Sequence, residues 1–123
     1  MIKFFAAVCA ALFAFALGAQ TADAQALDRI IKEKKIRITA ELTSPPFGIL
    51  DKDNKPTGSE VETARQLAKD LGVELELVNV TGPQRIPALL SDRADLAISS
   101  LSITTERAKS VWFSSPHGAL SIV

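Results

Sequence analysis

Apolar residues along the chain fall into patterns that each predict a different element. Phe4 to Gly18 is almost unbroken apolar sequence behind Lys3. From Ala26 to Lys35, Leu27, Ile30 and Ile31 share one helical side and Arg29, Lys32, Glu33 and Lys34 the other, which predicts a short amphipathic helix. Ile36-Arg37-Ile38-Thr39-Ala40 alternates as a strand does. In Glu41-Leu42-Thr43-Ser44-Pro45-Pro46-Phe47 two prolines forbid a continuing ladder, and they are expected to hold the chain extended over the strand end. Phe47 to Leu50, the polar tip Asp51 to Lys55 and Pro56-Thr57-Gly58 then predict a hairpin-like excursion.

The second half repeats a strand and helix order. Val61, Ala64, Leu67, Ala68 and Leu71 recur at helical spacing between Glu60 and Leu71, with Gly72 at the C-terminal cap position. Val73 to Val80 alternates as a strand, Arg85 to Leu90 predicts a short helix with Pro87 in its first turn, and Ala94 to Ser99 predicts another strand. Val111-Trp112-Phe113 and Ala119 to Val123 complete the expected strands. Strand, helix, strand, helix, strand implies right-handed crossovers and an α/β fold with a mainly parallel sheet and helices on both faces. The last run is as apolar as a core strand and has no polar tail, so the chain reads as cut there.

The first segment reads as an export signal, with Lys3 as its positive start and Ala22-Asp23-Ala24 as an A-x-A cleavage pattern. Residues 1–24 are expected to be removed, leaving Gln25 first. The apolar stretch is shorter than the roughly 20 residues of a spanning helix, and polar Gln20, Thr21, Asp23 and Gln25 follow it. Cys9, the only cysteine, lies inside the segment, so a mature chain would carry no disulfide or thiol chemistry. What remains has 99 residues with 13 basic and 13 acidic side chains, enough for one small core. No basic block and no Cys/His cluster points to nucleic acid, a metal or another cofactor.

Candidate chemistry concentrates in Ser99-Ser100-Leu101-Ser102-Ile103-Thr104-Thr105-Glu106-Arg107, just after an apolar strand. A guanidinium fits a carboxylate through paired N–H donors, while serine oxygens and main-chain carbonyls accept from an ammonium group. The segment therefore reads as half of an amino-acid site at the carboxyl end of a strand, where open α/β sheets hold ligands. It reads equally as a strand-to-helix connection capped by Thr104 or Thr105, with Arg107 in solvent.

The order and spacing of several short pieces resemble the bacterial solute-binding proteins of family 3, the exported amino-acid-binding components of ABC importers. These pieces are Pro45-Pro46-Phe47, Gly58 before an acidic helix start, Leu71-Gly72-Val73, Ile86-Pro87-Ala88-Leu89, Ala94-Asp95-Leu96, Ser100 to Thr104, Glu106-Arg107-Ala108-Lys109 and Phe113-Ser114-Ser115-Pro116. The resemblance implies a periplasmic-binding-protein-like type II lobe. Residues 25–123 would be most of the first lobe, cut at the hinge strand Ala119 to Val123, with the second lobe absent. It also implies a periplasmic, monomeric full-length protein that captures a polar amino acid, delivers it to a permease and catalyses nothing.

Carried over by position, Arg107 would grip the ligand α-carboxylate. Ser102 would offer that carboxylate a backbone N–H and the α-ammonium a hydroxyl, and the Ser100 carbonyl would accept from the ammonium. Ser99 lies beside them, with packing as its other role. Phe47 would bound the pocket or simply belong to the core. Glu41 matches a position that meets basic ligand side chains, whereas Arg85, on a cleft-side loop, would suit acidic ones. Ser44, in place of an aromatic, cannot stack on a ligand, and Ser59 and Thr63 also depart from the family pattern. Asp92 replaces a glycine and is awkward if its turn needs positive φ. His117 is assigned to the surface or hinge side, and Trp112 to the core or lobe surface, with ligand contact as its minor alternative.

Two other readings share the fold: an exported dehydratase of aromatic amino-acid precursors, and the sensory domain of a membrane receptor. With half the cleft missing, the sheet is expected to expose apolar surface. Residues 25–123 should bind amino acids far more weakly than a complete homologue, and sub-micromolar affinity in calorimetry would contradict this.

Overall fold

The fold is that of a computed structural model, which describes residues 22–116. The apolar segment before Ala22, His117 and the Ala119 to Val123 run lie outside the described residues. Helix α1 (Ala22–Glu33) leads into strand β1 (Lys35–Ala40). Strands β2 (Thr43–Ser44), β3 (Gly48–Leu50) and β4 (Pro56–Thr57) follow, then helix α2 (Ser59–Leu71) and strand β5 (Glu74–Asn79). A 3-10 turn at Gly82–Gln84 runs into helix α3 (Arg85–Leu90), strand β6 (Leu96–Ala97) and helix α4 (Thr105–Ala108).

The main sheet is parallel, in the order β5-β1-β6, as the alternation of strands and helices predicted. Its register pairs Ile36 with Leu75, Ile38 with Leu77, and Ile38 with Leu96. Side chains alternate across a strand, so Ile36 and Ile38 share one face. There they meet Ile30 of α1, Ala64 and Ala68 of α2, and Ile98. A second cluster of Val80, Ala88 and Ala94, with Val78 and Leu89 against it, takes in α3. Fully burying a side chain such as Ile38 stabilises by about 1.5–3 kcal/mol.

The excursion is a three-stranded antiparallel sheet, β2-β3-β4. Pro45 and Pro46 do not extend over the strand end. They form a turn closed by the Phe47 N–H donating to the Ser44 carbonyl at 2.9 Å. Two glycines let backbones meet here. A Cβ at Gly48 would overlap the Glu41 carbonyl oxygen, and one at Gly58, where φ is 116°, would overlap that of Phe47. Gly72 adopts φ 66° and caps α2 as its position predicted. Asp92 has φ 56°, so its turn does require the left-handed region.

At the amino ends of β1 and β6 the Asp95 carboxylate, 1% exposed, is enclosed by two arginines. It accepts from the Arg37 backbone N–H at 2.8 Å and from Arg37 Nη2 at 2.6 Å, and it also accepts from Arg29 Nη2. Burial pushes the Asp95 pKa up, but the bonds from Arg37 and Arg29 outweigh it and hold the group below the ordinary carboxylate value. Arg37 also donates to Asp92, which fixes the strained turn.

Two expected strands differ. The segment Val111 to Phe113 forms none, because the Val111 N–H donates to the Arg107 carbonyl at 3.0 Å and closes α4. Strand β6 is only Leu96–Ala97, since the Leu101 N–H turns back onto the Ser99 carbonyl at 2.6 Å. Helix α1 starts at Ala22, ahead of the expected Ala26, and ends at Glu33. Apolar side chains are exposed along this flank: Leu90 by 62%, Leu96 by 38% and Trp112 by 89%.

Because folding lowers the Asp95 pKa, its contribution is present above the unfolded value, about 4, and is lost as pH falls through the folded value. Asp95→Asn should cost about 2–4 kcal/mol at pH 7, less than a fully buried pair because both arginines remain partly exposed. The gap between variant and parent in urea unfolding should shrink below pH 4; a gap independent of pH would refute the assignment. Gly58→Ala should lose more than about 1 kcal/mol in the same measurement.

Candidate functional site

Each strand of the parallel sheet delivers one polar group at its carboxyl end. Glu41 follows β1, Arg85 opens α3 after β5, and Ser99 to Ser102 follow β6. The Arg85 guanidinium joins all three. Its Nη2 pairs with the Glu41 carboxylate, and its Nη1 donates to the Ser100 carbonyl at 3.3 Å. The Arg85 and Glu41 side chains are 11% and 21% exposed, so this ion pair is largely withdrawn from water. The two residues that pointed to opposite ligand charges are partners of each other.

Ser100 is held from a second side. Its hydroxyl donates to Glu60 Oε1 at 2.9 Å, and Glu60 is a buried carboxylate in the first turn of α2. The Glu60 N–H donates to the Phe47 carbonyl at 2.9 Å, so the Gly58 close approach, Phe47 and Ser100 form one connected unit. Phe47 is half-buried and lines a groove of about 970 Å³ that also takes in Glu60, Ser99, Ser100 and Ser102. The far part of the groove is walled by Leu90, Leu96 and Trp112, and Arg107, Glu41 and Arg85 do not line it. The serine end therefore belongs to the candidate site, whereas the apolar part is the uncovered flank of β6.

Arg107 sits in α4, whose start is capped by Thr104: its Oγ1 accepts from the Arg107 backbone N–H at 3.2 Å. The side chain folds back, and Nη1 donates to the Ser102 carbonyl at 2.8 Å and to Ser102 Oγ at 2.9 Å. The helix is capped by Thr104, as the second reading of this segment expects, while Arg107 folds onto the serine loop rather than standing free in solvent. The Ser102 hydroxyl accepts from Arg107 and keeps its own proton to donate. Ser99 Oγ and Arg85 Nε are buried without a protein partner.

Each predicted site residue is linked to another by side chain or by a common lining: Glu41 with Arg85, Arg85 with Ser100, Ser102 with Arg107, and Phe47 with Ser99 along the groove. Only the tie between the Arg107 pair and the Arg85 pair is indirect, through the loop itself. Sequence reasoning missed Glu60, although the acidic start after Gly58 was a visible signal. It also missed Gly82, whose lack of a side chain leaves room beside the Glu41 carboxylate, 4.0 Å from where a Cβ would stand. Among the described residues no group of three or more His, Cys, Asp and Glu could hold a metal ion.

Comparison with known proteins agrees with the fold. The L-cystine-binding protein TcyJ of Escherichia coli K12 is 38% identical over 96 residues, covering 78% of this chain and 36% of its own. Cyclohexadienyl dehydratase of Pseudomonas aeruginosa is 32% identical over 112 residues, covering 91% of this chain and 41% of its own. Among solved structures, the arginine-bound form of domain 1 from TmArgBP, the T. maritima protein, superposes with a TM-score of 0.69 at 36% identity, covering 72% of this chain and 71% of that one. The fold is accordingly part of a type II periplasmic-binding-protein domain. The chain spans little more than a third of the length of the curated relatives it matches. Residues 36–123 match the bacterial extracellular solute-binding proteins, family 3, and the chain belongs to that family.

Proposed function

We propose that this chain is the ligand-gripping part of an exported protein that captures a polar amino acid for import through an ABC-transporter permease. The observation that carries the reading is the Arg107 guanidinium held on Ser102, one loop turn from Ser99 and Ser100 at the end of β6. Both bonds to Ser102 use Nη1, and the other edge of the guanidinium fork takes the ligand carboxylate in this reading. The Ser102 hydroxyl and the second lone pair of the Ser100 carbonyl receive the ammonium. Residues 1–24 act as a cleaved signal and residues 25–123 as most of one lobe. A second lobe completes the cleft, and its closure presents the loaded monomer to the permease. The names of the relatives support an amino-acid ligand: one is named for L-cystine, and domain 1 from TmArgBP is described as arginine-bound.

The dehydratase relative gives a second reading, in which the same cradle positions a carboxylate for chemistry. Prephenate turnover by the two-lobed protein would favour that reading; binding without turnover favours capture. Arg107→Ala should weaken amino-acid binding by the two-lobed protein by about 2–5 kcal/mol in calorimetry, the usual cost of removing one partner of an enclosed charge pair. Unchanged affinity would take Arg107 out of the site.

A further inference from the structure

Three polar atoms in one corner of the fold are buried with no hydrogen-bond partner among the described residues: Thr39 Oγ1, Arg85 Nε and Ser99 Oγ. Protein interiors rarely leave such atoms unsatisfied, and three together point to a shared occupant. We propose that they hold one buried water molecule, and that through it Ser99 ties the serine loop to β1. Such a bridge is independent of what the groove binds.

The sheet brings the three together. Ile36 and Ile38 pack with α1 and α2, so Thr39 lies on the other face of β1, level with Val78 and Ala97 in the register. Ile98 joins the Ile38 cluster, which leaves Ser99 on the Thr39 face. Ser99 stands one strand across from Thr39 and two residues further on, which ordinary strand spacing and rise make about 8 Å between Cα atoms. Hydroxyls facing each other across that separation are spanned by one water at ordinary hydrogen-bond lengths. The Arg85 guanidinium closes the corner. Its Nη2 is bonded to Glu41, two residues beyond Thr39, and its Nη1 to the carbonyl of Ser100, next to Ser99.

Charge and access fix the chemistry of the occupant. Arg85 is already balanced by Glu41, so a further ion would be buried without a counter-charge. Of the three residues only Ser99 reaches the groove, and its hydroxyl is buried. A water accepts from the Arg85 Nε–H and donates to both hydroxyl oxygens, which satisfies all three atoms and adds no charge. Ser99 then does more than pack: it fastens the start of the loop to β1, a strand that β6 itself pairs with through only two residues.

The test is water-edited 15N NMR of the full chain, read at the Arg85 Nε–H signal. The parent should give a cross-peak to water of opposite sign in the laboratory-frame and rotating-frame experiments, the mark of a long-held molecule; simple proton exchange gives equal signs. Thr39→Ser keeps the hydroxyl and should keep the cross-peak. Thr39→Val keeps the shape without the hydroxyl, and should weaken the cross-peak roughly threefold or more while moving the Ser99 amide signal. A direct bond from Arg85 to the Ser99 hydroxyl would instead leave the cross-peak indifferent to Thr39→Val, and that result would overturn the proposal. A crystal structure of the parent gives the independent reading and decides alone if Thr39→Val unfolds. One ordered water should lie within about 2.7–3.2 Å of all three atoms. No ordered water there, or Ser99 Oγ bonded directly to Thr39 or Arg85, would equally overturn it. Amino-acid binding enters none of these readings, so failure here leaves the Arg107 cradle as it stands.

Discussion

One guanidinium holds the carboxyl end of the parallel sheet together. Strand β6 pairs with β1 through only two residues, so the backbone ladder does little to fix the serine loop beyond it. Arg85 replaces the missing ladder with side-chain bonds. It reaches Glu41 beyond β1 and the Ser100 carbonyl beyond β6 while its own backbone continues from β5. Loss of the guanidinium would leave a half-buried carboxylate and a carbonyl without their donor, a larger penalty than an ordinary hydrogen bond is worth. The opposite end of the same sheet is held in the mirror sense: there a carboxylate, Asp95, is enclosed by two guanidinium groups. Two small polar knots thus fix a sheet whose apolar layers are thin.

The two knots also divide the work of the molecule. The amino-end knot involves α1, β1 and the turn before β6, at the other end of the sheet from the serine loop. The carboxyl-end knot lies beside that loop. Glu60 carries its influence further, because the same carboxylate that orients the Ser100 hydroxyl sits on a helix whose first turn is pinned to Phe47. A side chain at Gly58 would push on that contact, so a glycine in the antiparallel excursion bears on the position of a serine at the end of the parallel sheet.

Most of the fold was legible because its signals are local. The spacing of Val61, Ala64 and Ala68 and the glycine after Leu71 specify α2 and its cap without reference to anything else. The alternation of Ile36 and Ile38 specifies β1. What failed depends on distant partners. Val111 to Phe113 has the composition of a strand, but its first amide is consumed by the end of α4 and no neighbouring strand among the described residues receives the rest. Pro45 and Pro46 excluded a ladder correctly, yet whether they extend or turn is decided by the Ser44 carbonyl. In the site, Arg107 and Ser102 lie five residues apart and their pairing could be anticipated. Glu41 and Arg85 lie 44 apart, so each was read as a free charge when the fold makes them one neutral pair.

That difference in separation has a consequence for how such a site can vary. The Arg107–Ser102 contact is built within one loop and short helix, from a capped turn, a serine and an arginine. The Glu41–Arg85 pair is built between separate strand ends, and a single substitution at either end converts a cancelled pair into a bare charge. A substitution at Arg85 also reaches the serine loop, since Arg85 donates to the Ser100 carbonyl two residues before Ser102. The two pairs are therefore different physical units, one local and conformational, the other tertiary and electrostatic, joined through the serine loop.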